Sequence, residues 1–466
     1  MKRHFVLLFS IGILNLFFFL GIFKILQHDK IYQHTLGTIS KNYERVEAMN
    51  NYEIKKVSKP YVQIKNENFE NWDAAIYSCI SKKMYIPEKE CYGTVRSAFF
   101  PLFPILWRIT NSSFIGISLI NYFLFTLSIA LLVMMLLKEP INHKLGVYAI
   151  LISIPSSIVF YIPYSESAFL FTMVIATIGV LKKKYWIYFV GILLFSMVRP
   201  ASVFALMAII AAELMIFFKN RDWHNLLKRI AYGSIPFLLG YICVFIIQFL
   251  YSGSWTTFLD AQKYWEGGFS LIRSISDWSL ESFGLTSFAM IFICLPALSY
   301  IIYLLFAKNK LLTPKSNGIS VDFEKQYLLL VSLLYLSGIF VFTLLTSGGN
   351  FHSFFRFTLG SPFFYIALLV LLSQLFNNEI KPFLRSFIIS VILLFVFMFF
   401  VDFGGERMQF SYFGPLMFIL TSLFLLIRRH IPFPIQILTT LFIIFLNTIW
   451  NTYLLNIFLS NGWIFT

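Results

Sequence analysis

Charge is scarce in this chain. Of its 466 residues only 13% are Asp, Glu, Lys or Arg, while 58% are hydrophobic and the mean hydropathy is +0.76. A soluble domain carries about 25% charged residues. A water-soluble globular class is therefore excluded, because no core of this size can bury so much apolar surface, and lipid is the solvent the composition demands. Acidic residues are the scarcer kind, 22 against 37 Lys and Arg, for a net charge of +15. That excess reads as anchoring of loops on the cytoplasmic face, with a contribution to anionic lipid phosphates, and not as nucleic-acid binding. Cysteine is nearly missing. Cys79, Cys91, Cys243 and Cys294 form no CxxC pair, which removes zinc-ribbon and thioredoxin-type chemistry. Cys243 and Cys294 lie in apolar runs. Cys79 and Cys91 share one polar loop and can pair if that loop faces an oxidising compartment. No Walker motif, GxGxxG, HExxH or GxSxG stands in a usable context, so a nucleotide-driven enzyme is not expected and an activated donor has to be lipid-linked. There is no internal repeat or inverted duplication of the kind transporters often show.

What is present is a series of apolar runs rich in Phe, 56 residues of it. The expectation is one all-α, polytopic, integral membrane domain over 1–466 with about thirteen spans: 5–26, 114–137, 145–163, 165–181, 185–198, 201–218, 230–251, 286–307, 325–345, 356–376, 384–401, 411–427 and 432–456. The first run follows Met1-Lys2-Arg3-His4, has no small-residue cleavage site, and reads as a retained signal-anchor. The stretch 98–109 is apolar but broken by Pro101 and Pro104, and reads as an interfacial or re-entrant corner. With the N-terminus in the cytoplasm, Lys138 to Lys144, Lys182 to Lys184, Lys219 to Arg229, Lys308 to Lys325, Lys381 to Arg385 and Arg428 to His430 all fall on that side. The opposite side then holds a large first loop, 27–113, a second loop, 252–285, and short turns with carboxylates and arginines. Charge in mid-span is almost absent.

Five segments on that non-cytoplasmic side have the residues for chemistry. Asn68 to Tyr77 opens an amphipathic helix with Trp72 and Asp73. A carboxylate beside an interfacial aromatic is partly desolvated, which suits a general base; a first-turn helix acid is the plain structural reading. Ser97 to Leu106 is a stiff apolar corner in which Phe100 and Pro101 could line an isoprenoid groove or merely pack the loop. Tyr164-Ser165-Glu166-Ser167 puts an acid at a membrane edge, where it needs a partner, and Arg199 is the natural one. Arg199 and Arg356, the latter after His352, run against the positive-inside bias. Their guanidinium forks match phosphate oxygens, or they pair with Glu166, Asp402 or Glu406. Phe258 to Glu266 carries Gln262 and Trp265, an amide and an indole suited to a sugar, or an ordinary interfacial helix.

Taken in order, Trp72-Asp73, Ala98-Phe99-Phe100-Pro101-Leu102-Phe103-Pro104, Tyr164-Ser165-Glu166-Ser167, Arg199-Pro200, and Phe258 with Ala261-Gln262 and Trp265 resemble the PIG-V-like proteins. This is the family of GPI mannosyltransferase II and its bacterial relatives, membrane glycosyltransferases of the GT-C class. The likeness covers about residues 68–270 and beyond them rests on topology and Arg356. It implies a GT-C-like fold, a polyprenyl-phosphate sugar donor with mannose as the typical sugar, a lipid or glycan acceptor on the non-cytoplasmic face, and inversion. It carries the general base onto Asp73, and a role at the site onto Tyr164 to Ser167. The chain departs from the family where Ala74-Ala75 follow Asp73 in place of a polar residue, which counts against a metal there, and where Phe103 replaces a common Tyr.

The implied scheme has Asp73 as base, Arg199 and Arg356 on the donor phosphate, the lipid along Phe100 and Pro101, and Trp72, Tyr164, Glu166, Gln262, Trp265 and His352 around sugar and acceptor. It requires no cofactor, although Asp73 with Glu70 or Glu166 could host a divalent metal. Localisation would be a multi-pass membrane, the cell inner membrane if the chain is bacterial. A lipid-linked saccharide transporter or a surface-polysaccharide polymerase or ligase are the alternatives.

Overall fold

The computed structural model describes residues 2–28, 62–86, 95–155, 157–263, 289–306, 323–346, 354–374, 413–461 and 464. The predicted span 384–401, most of the loop 252–285, and Trp265, His352, Asp402, Glu406 and Cys91 lie outside them. The described residues are helical without strands. In chain order the α-helices are α1 Lys2–Leu26, α2 Asp73–Lys83, α3 Leu102–Thr110, α4 Phe114–Leu136, α5 Ile141–Ser153, α6 Glu166–Leu181, α7 Tyr185–Ser196, α8 Val203–Asn220, α9 Trp223–Ser252, α10 Thr257–Gln262, α11 Leu295–Phe306, α12 Phe323–Thr346, α13 Phe354–Thr358, α14 Pro362–Gln374, α15 Phe413–Ile427 and α16 Phe433–Leu459.

Among the described residues six stretches are long and apolar enough to cross a membrane: α1, α4, α8 with the turn before it, α9, α12 and α16. A further four apolar helices are shorter, α6, α7, α11 with the turn before it, and α14. The 23 residues of α4 reach about 34 Å, enough for a 30 Å hydrocarbon core. Local chemistry sets the ends. Ser113 caps α4 by accepting from the Gly116 N–H at 3.1 Å, and Asp222 caps α9 by accepting from Asn225 N–H at 3.1 Å. Gly253, with φ 74°, closes α9 in the left-handed region that glycine tolerates.

Two departures from the sequence pattern shape the interior. The span expected over 145–163 has its helix end at Ser153, and residues 154–155 and 157–165 run as buried backbone outside α-helix, with a short turn at Ser157–Phe160. Such backbone is tolerated at depth only when protein satisfies its polar groups. Asn side chains do so: Asn121 Nδ2 donates to the carbonyls of Ile162 and Tyr164 at 2.7 and 2.8 Å, and Asn451 Nδ2 donates to those of Ser153 and Ile154, both at 3.1 Å. The second departure is Glu213, buried inside α8 and paired with Arg229 Nη1 of α9 at 3.7 Å. The predicted span 201–218 therefore carries one buried, paired acid. The pair hides from a window average because a single acid among 18 residues barely moves it.

The predicted spans 165–181 and 185–198 form the tight hairpin of α6 and α7. A side-chain carbon on Gly179 would overlap the backbone nitrogen of Tyr188, and one on Gly191 would overlap that of Ala176, so these helices touch backbone to backbone. The hairpin starts at Glu166 and ends just before Arg199, which brings both to one end of the bundle.

The first loop docks on that same end. Val62 N–H donates to Asn456 Oδ1 at 3.1 Å, Asn71 Nδ2 donates to the Phe458 carbonyl at 2.7 Å, and Ile115 N–H donates to Asn66 Oδ1 at 3.2 Å. Residues 62–71 of the loop are thereby fixed to the end of α16 and the start of α4. The corner 98–109 resolves into a turn at Val95–Ala98 followed by α3. Cys79, on α2, is disulfide-bonded, while Cys243 and Cys294 are free thiols.

Candidate functional site

Four segments far apart in sequence converge at the end of the bundle where α2, α6, α8 and α13 begin or lie. Arg356 of α13 is the hinge of the cluster. Its Nη1 lies 2.8 Å from Asp73 Oδ2 and its Nε lies 2.7 Å from Glu166 Oε1. Glu166 Oε1 also faces Arg199 Nη1 at 2.7 Å. The result is a chain of alternating charge, Asp73–Arg356–Glu166–Arg199. Among the described residues two guanidinium groups meet two carboxylates, and these four charges balance.

Burial grades along this chain. The Glu166 side chain has no exposed surface, Arg356 and Arg199 have 7 and 10%, and Asp73 has 18%. Burying unpaired charge is costly, so the arginines fix Glu166 and Glu166 fixes them. Glu166 Oε2 is buried and has no hydrogen-bond partner among the described residues. Glu166 carried two readings in the sequence, contact with sugar or acceptor and pairing with Arg199; the pairing is present, and Arg356 joins it.

Aromatic rings frame the guanidinium groups. Arg356 lies 4.8 Å from the centre of the Tyr164 ring, and Arg199 lies 5.5 Å from Phe357 and 5.9 Å from Phe169. Tyr77, one turn after Asp73 on α2, was not singled out from sequence. Its hydroxyl donates to Ser165 Oγ at 2.7 Å, and its ring packs edge-on against Phe99 and Phe103 at 5.1 and 5.0 Å. Burial pushes the Tyr77 hydroxyl well above its ordinary range, so it stays a neutral donor. The i, i+4 spacing of Asp73 and Tyr77 was the signal that could have found it.

Asp73 sits in the first turn of α2, but its carboxylate turns to Arg356, and the cap position is taken by Trp72. Trp72 has φ 54°, rare for a large side chain, and is 42% exposed. Such strain persists only where the surroundings hold it, and it concentrates at functional sites.

The remaining predicted residues divide. Phe100 and Pro101 are buried in protein, with Phe100 against Tyr241 and Phe258 at 5.2 and 5.4 Å, so they form core between the loops and not an open lipid groove. Gln262, half-buried at the end of α10, belongs to a helix that packs on the turn Val95–Ala98. Arg96, in that turn, is almost fully buried near Tyr85 and was missed from sequence; it stands in the mixed stretch Gly93-Thr94-Val95-Arg96-Ser97, which gives no sign of its burial. Among the described residues no three His, Cys, Asp or Glu side chains gather as a metal site.

No family model matches the chain, and neither a curated protein nor a solved structure matches it.

Proposed function

We propose that the protein is a membrane glycosyltransferase of the GT-C type, with about thirteen spans, that moves a sugar from a polyprenyl-phosphate donor to an acceptor hydroxyl on the non-cytoplasmic face. The observation that carries the reading is the convergence of Asp73, Glu166, Arg199 and Arg356, from four separated segments, at one end of the bundle. Their order in the chain is that of the PIG-V-like motifs, and mannose is the sugar this likeness favours. The disulfide at Cys79 supports an oxidising, non-cytoplasmic setting for α2, in keeping with basic loops at the other end.

In this scheme Asp73 accepts the proton of the acceptor hydroxyl as its oxygen attacks the anomeric carbon. The bond from that carbon to the phosphate oxygen breaks, and the electron pair leaves with polyprenyl phosphate. Inversion follows from a single displacement. Arg356 and Arg199 meet the charge that builds on the leaving phosphate, the kind of contribution that usually dominates. Glu166 and Tyr77 hold these groups in place. Trp72, at the exposed edge, is the aromatic nearest in sequence to the base and suited to a sugar face.

A lipid-linked saccharide transporter and a surface-polysaccharide polymerase remain the competing readings. Glu213 adds one buried acid to α8, but it is paired to Arg229 near the opposite end. The test is transfer itself. Membrane vesicles carrying the protein receive radiolabelled polyprenyl-phosphate mannose and extracted lipid acceptors. Label moving to the acceptor in the wild type and not in Asp73→Asn is the expected result. Full transfer by Asp73→Asn contradicts the scheme, and movement of intact donor across the bilayer favours a transporter.

A further inference from the structure

The charge chain has an asymmetry that the reaction scheme does not use. Arg356 is the cation shared by both carboxylates, through different edges of its fork: Nε to Glu166 and Nη1 to Asp73. Of these two partners Glu166 is fully buried and is held by Arg199 as well, whereas Asp73 is the more exposed. The carboxylate proposed as base is thus occupied by the same guanidinium that is proposed to meet the donor phosphate.

Four mutually paired charges cannot take in a phosphate anion without rearrangement, because the added charge leaves anions in excess of these two guanidinium groups. Releasing Glu166 would strand a buried anion, which is the costly choice. Releasing Asp73 exposes a carboxylate that already reaches solvent. We propose that Arg356 is a substrate-operated mask on Asp73: the donor phosphate takes over the Nη1 edge now held by Asp73, and the base becomes available only once the donor is seated. This rests on the reading of the donor as a polyprenyl-phosphate sugar, and it makes donor binding precede acceptor activation. A carboxylate beside an anion accepts a proton more readily than one beside a guanidinium, so the exchange also favours proton transfer. Arg356 is then a positioning residue toward Asp73 as well as a phosphate ligand.

The test is carboxyl labelling of the full wild-type chain in lipid nanodiscs, with a carbodiimide and a trapping amine, read by peptide mass spectrometry at Asp73. Polyprenyl phosphate is the probe, and polyprenol of equal length is the control without charge. Exposed Glu67 is the internal reference. Labelling of Asp73 rises about tenfold with polyprenyl phosphate, as expected for release of one charge-assisted contact, and is unchanged with polyprenol. An unchanged or lowered Asp73 signal, with a rise in Tm showing that polyprenyl phosphate is bound, overturns the mask and leaves the donor reading standing. No change in either signal overturns both. Arg356→Lys, which keeps the charge but loses the fork, labels at Asp73 without the probe; labelling as low as in the unloaded wild type contradicts the mask.

Discussion

The two ends of the bundle both bury ion clusters, and they are built differently. At the end away from Asp73, Glu139 lies between two neighbouring residues of one turn. Arg428 Nη2 meets its carboxylate at 2.6 Å, and Arg429 pairs with the same group. Arg428 Nη1 also donates to the Leu425 carbonyl at 2.7 Å, and buried Lys325 donates to the Leu136 carbonyl at 3.1 Å. The ion cluster of Glu139, Arg428 and Arg429 draws on two segments, and positive charge is in excess in it. At the Asp73 end four segments contribute one residue each, charge is balanced, and the exposed member is a carboxylate. The first arrangement bolts the α4–α5 link to the start of α16. The second gathers groups that local packing alone would not bring together, and it leaves the Asp73 carboxylate the most exposed of the four. On the proposed function, that difference separates anchoring from chemistry where burial alone does not.

That contrast is open to attack by substitution. The largest effect belongs to Asp73→Asn. Initial rates of sugar transfer should fall about 10²–10⁴-fold, the range for loss of a general base, while thermal unfolding moves little because Arg356 keeps Glu166. Glu166→Gln comes next. It leaves two buried arginines facing Asp73 alone and should destabilise by about 3–5 kcal/mol, seen as a lower unfolding temperature, with activity lost alongside. Glu139→Gln should cost about 1–3 kcal/mol, since Arg429 is partly exposed, and leave the rate per folded molecule intact; a changed rate would blur the contrast between the ends.

The smallest effect is expected at Asp260, on the exposed rim of the second loop. A hydrogen bond from Lys263, and then one from Thr256, holds its carboxyl below the ordinary 3.8. A depressed value means that its stabilisation is present above about pH 3.8 and is lost as pH falls through the folded-state value. Asp260→Asn should therefore leave unfolding at neutral pH nearly unchanged, and any difference from wild type should vanish in acid. A large effect on transfer would extend the site into the second loop.

Much of this was legible from residue types. Arginines expected on the side that the positive-inside bias disfavours need a buried acid or a phosphate, and Arg199, Arg356 and Glu166 pair with one another. The helix class followed from apolar runs of the right length. Less legible was anything that depends on depth. The stretch 154–165 is apolar enough to pass for helix, and the Asn121 and Asn451 side chains, both distant in sequence, satisfy carbonyls along the described part of its irregular path. Phe100 and Pro101 looked like a lipid groove because an apolar corner has the same composition whether it faces lipid or protein. Glu213 was invisible to a window average, and Tyr77 to a search for charged groups.

The central claim is that the Asp73 end is the reactive one and the Glu139 end is structural. Its most direct test is the transfer rate per folded molecule from polyprenyl-phosphate mannose, measured side by side for wild type, Asp73→Asn and Glu139→Gln purified into the same lipid. The expected result is near-wild-type turnover for Glu139→Gln and a loss of at least about 10²-fold for Asp73→Asn. Equal loss in both, or turnover retained in Asp73→Asn, would contradict it.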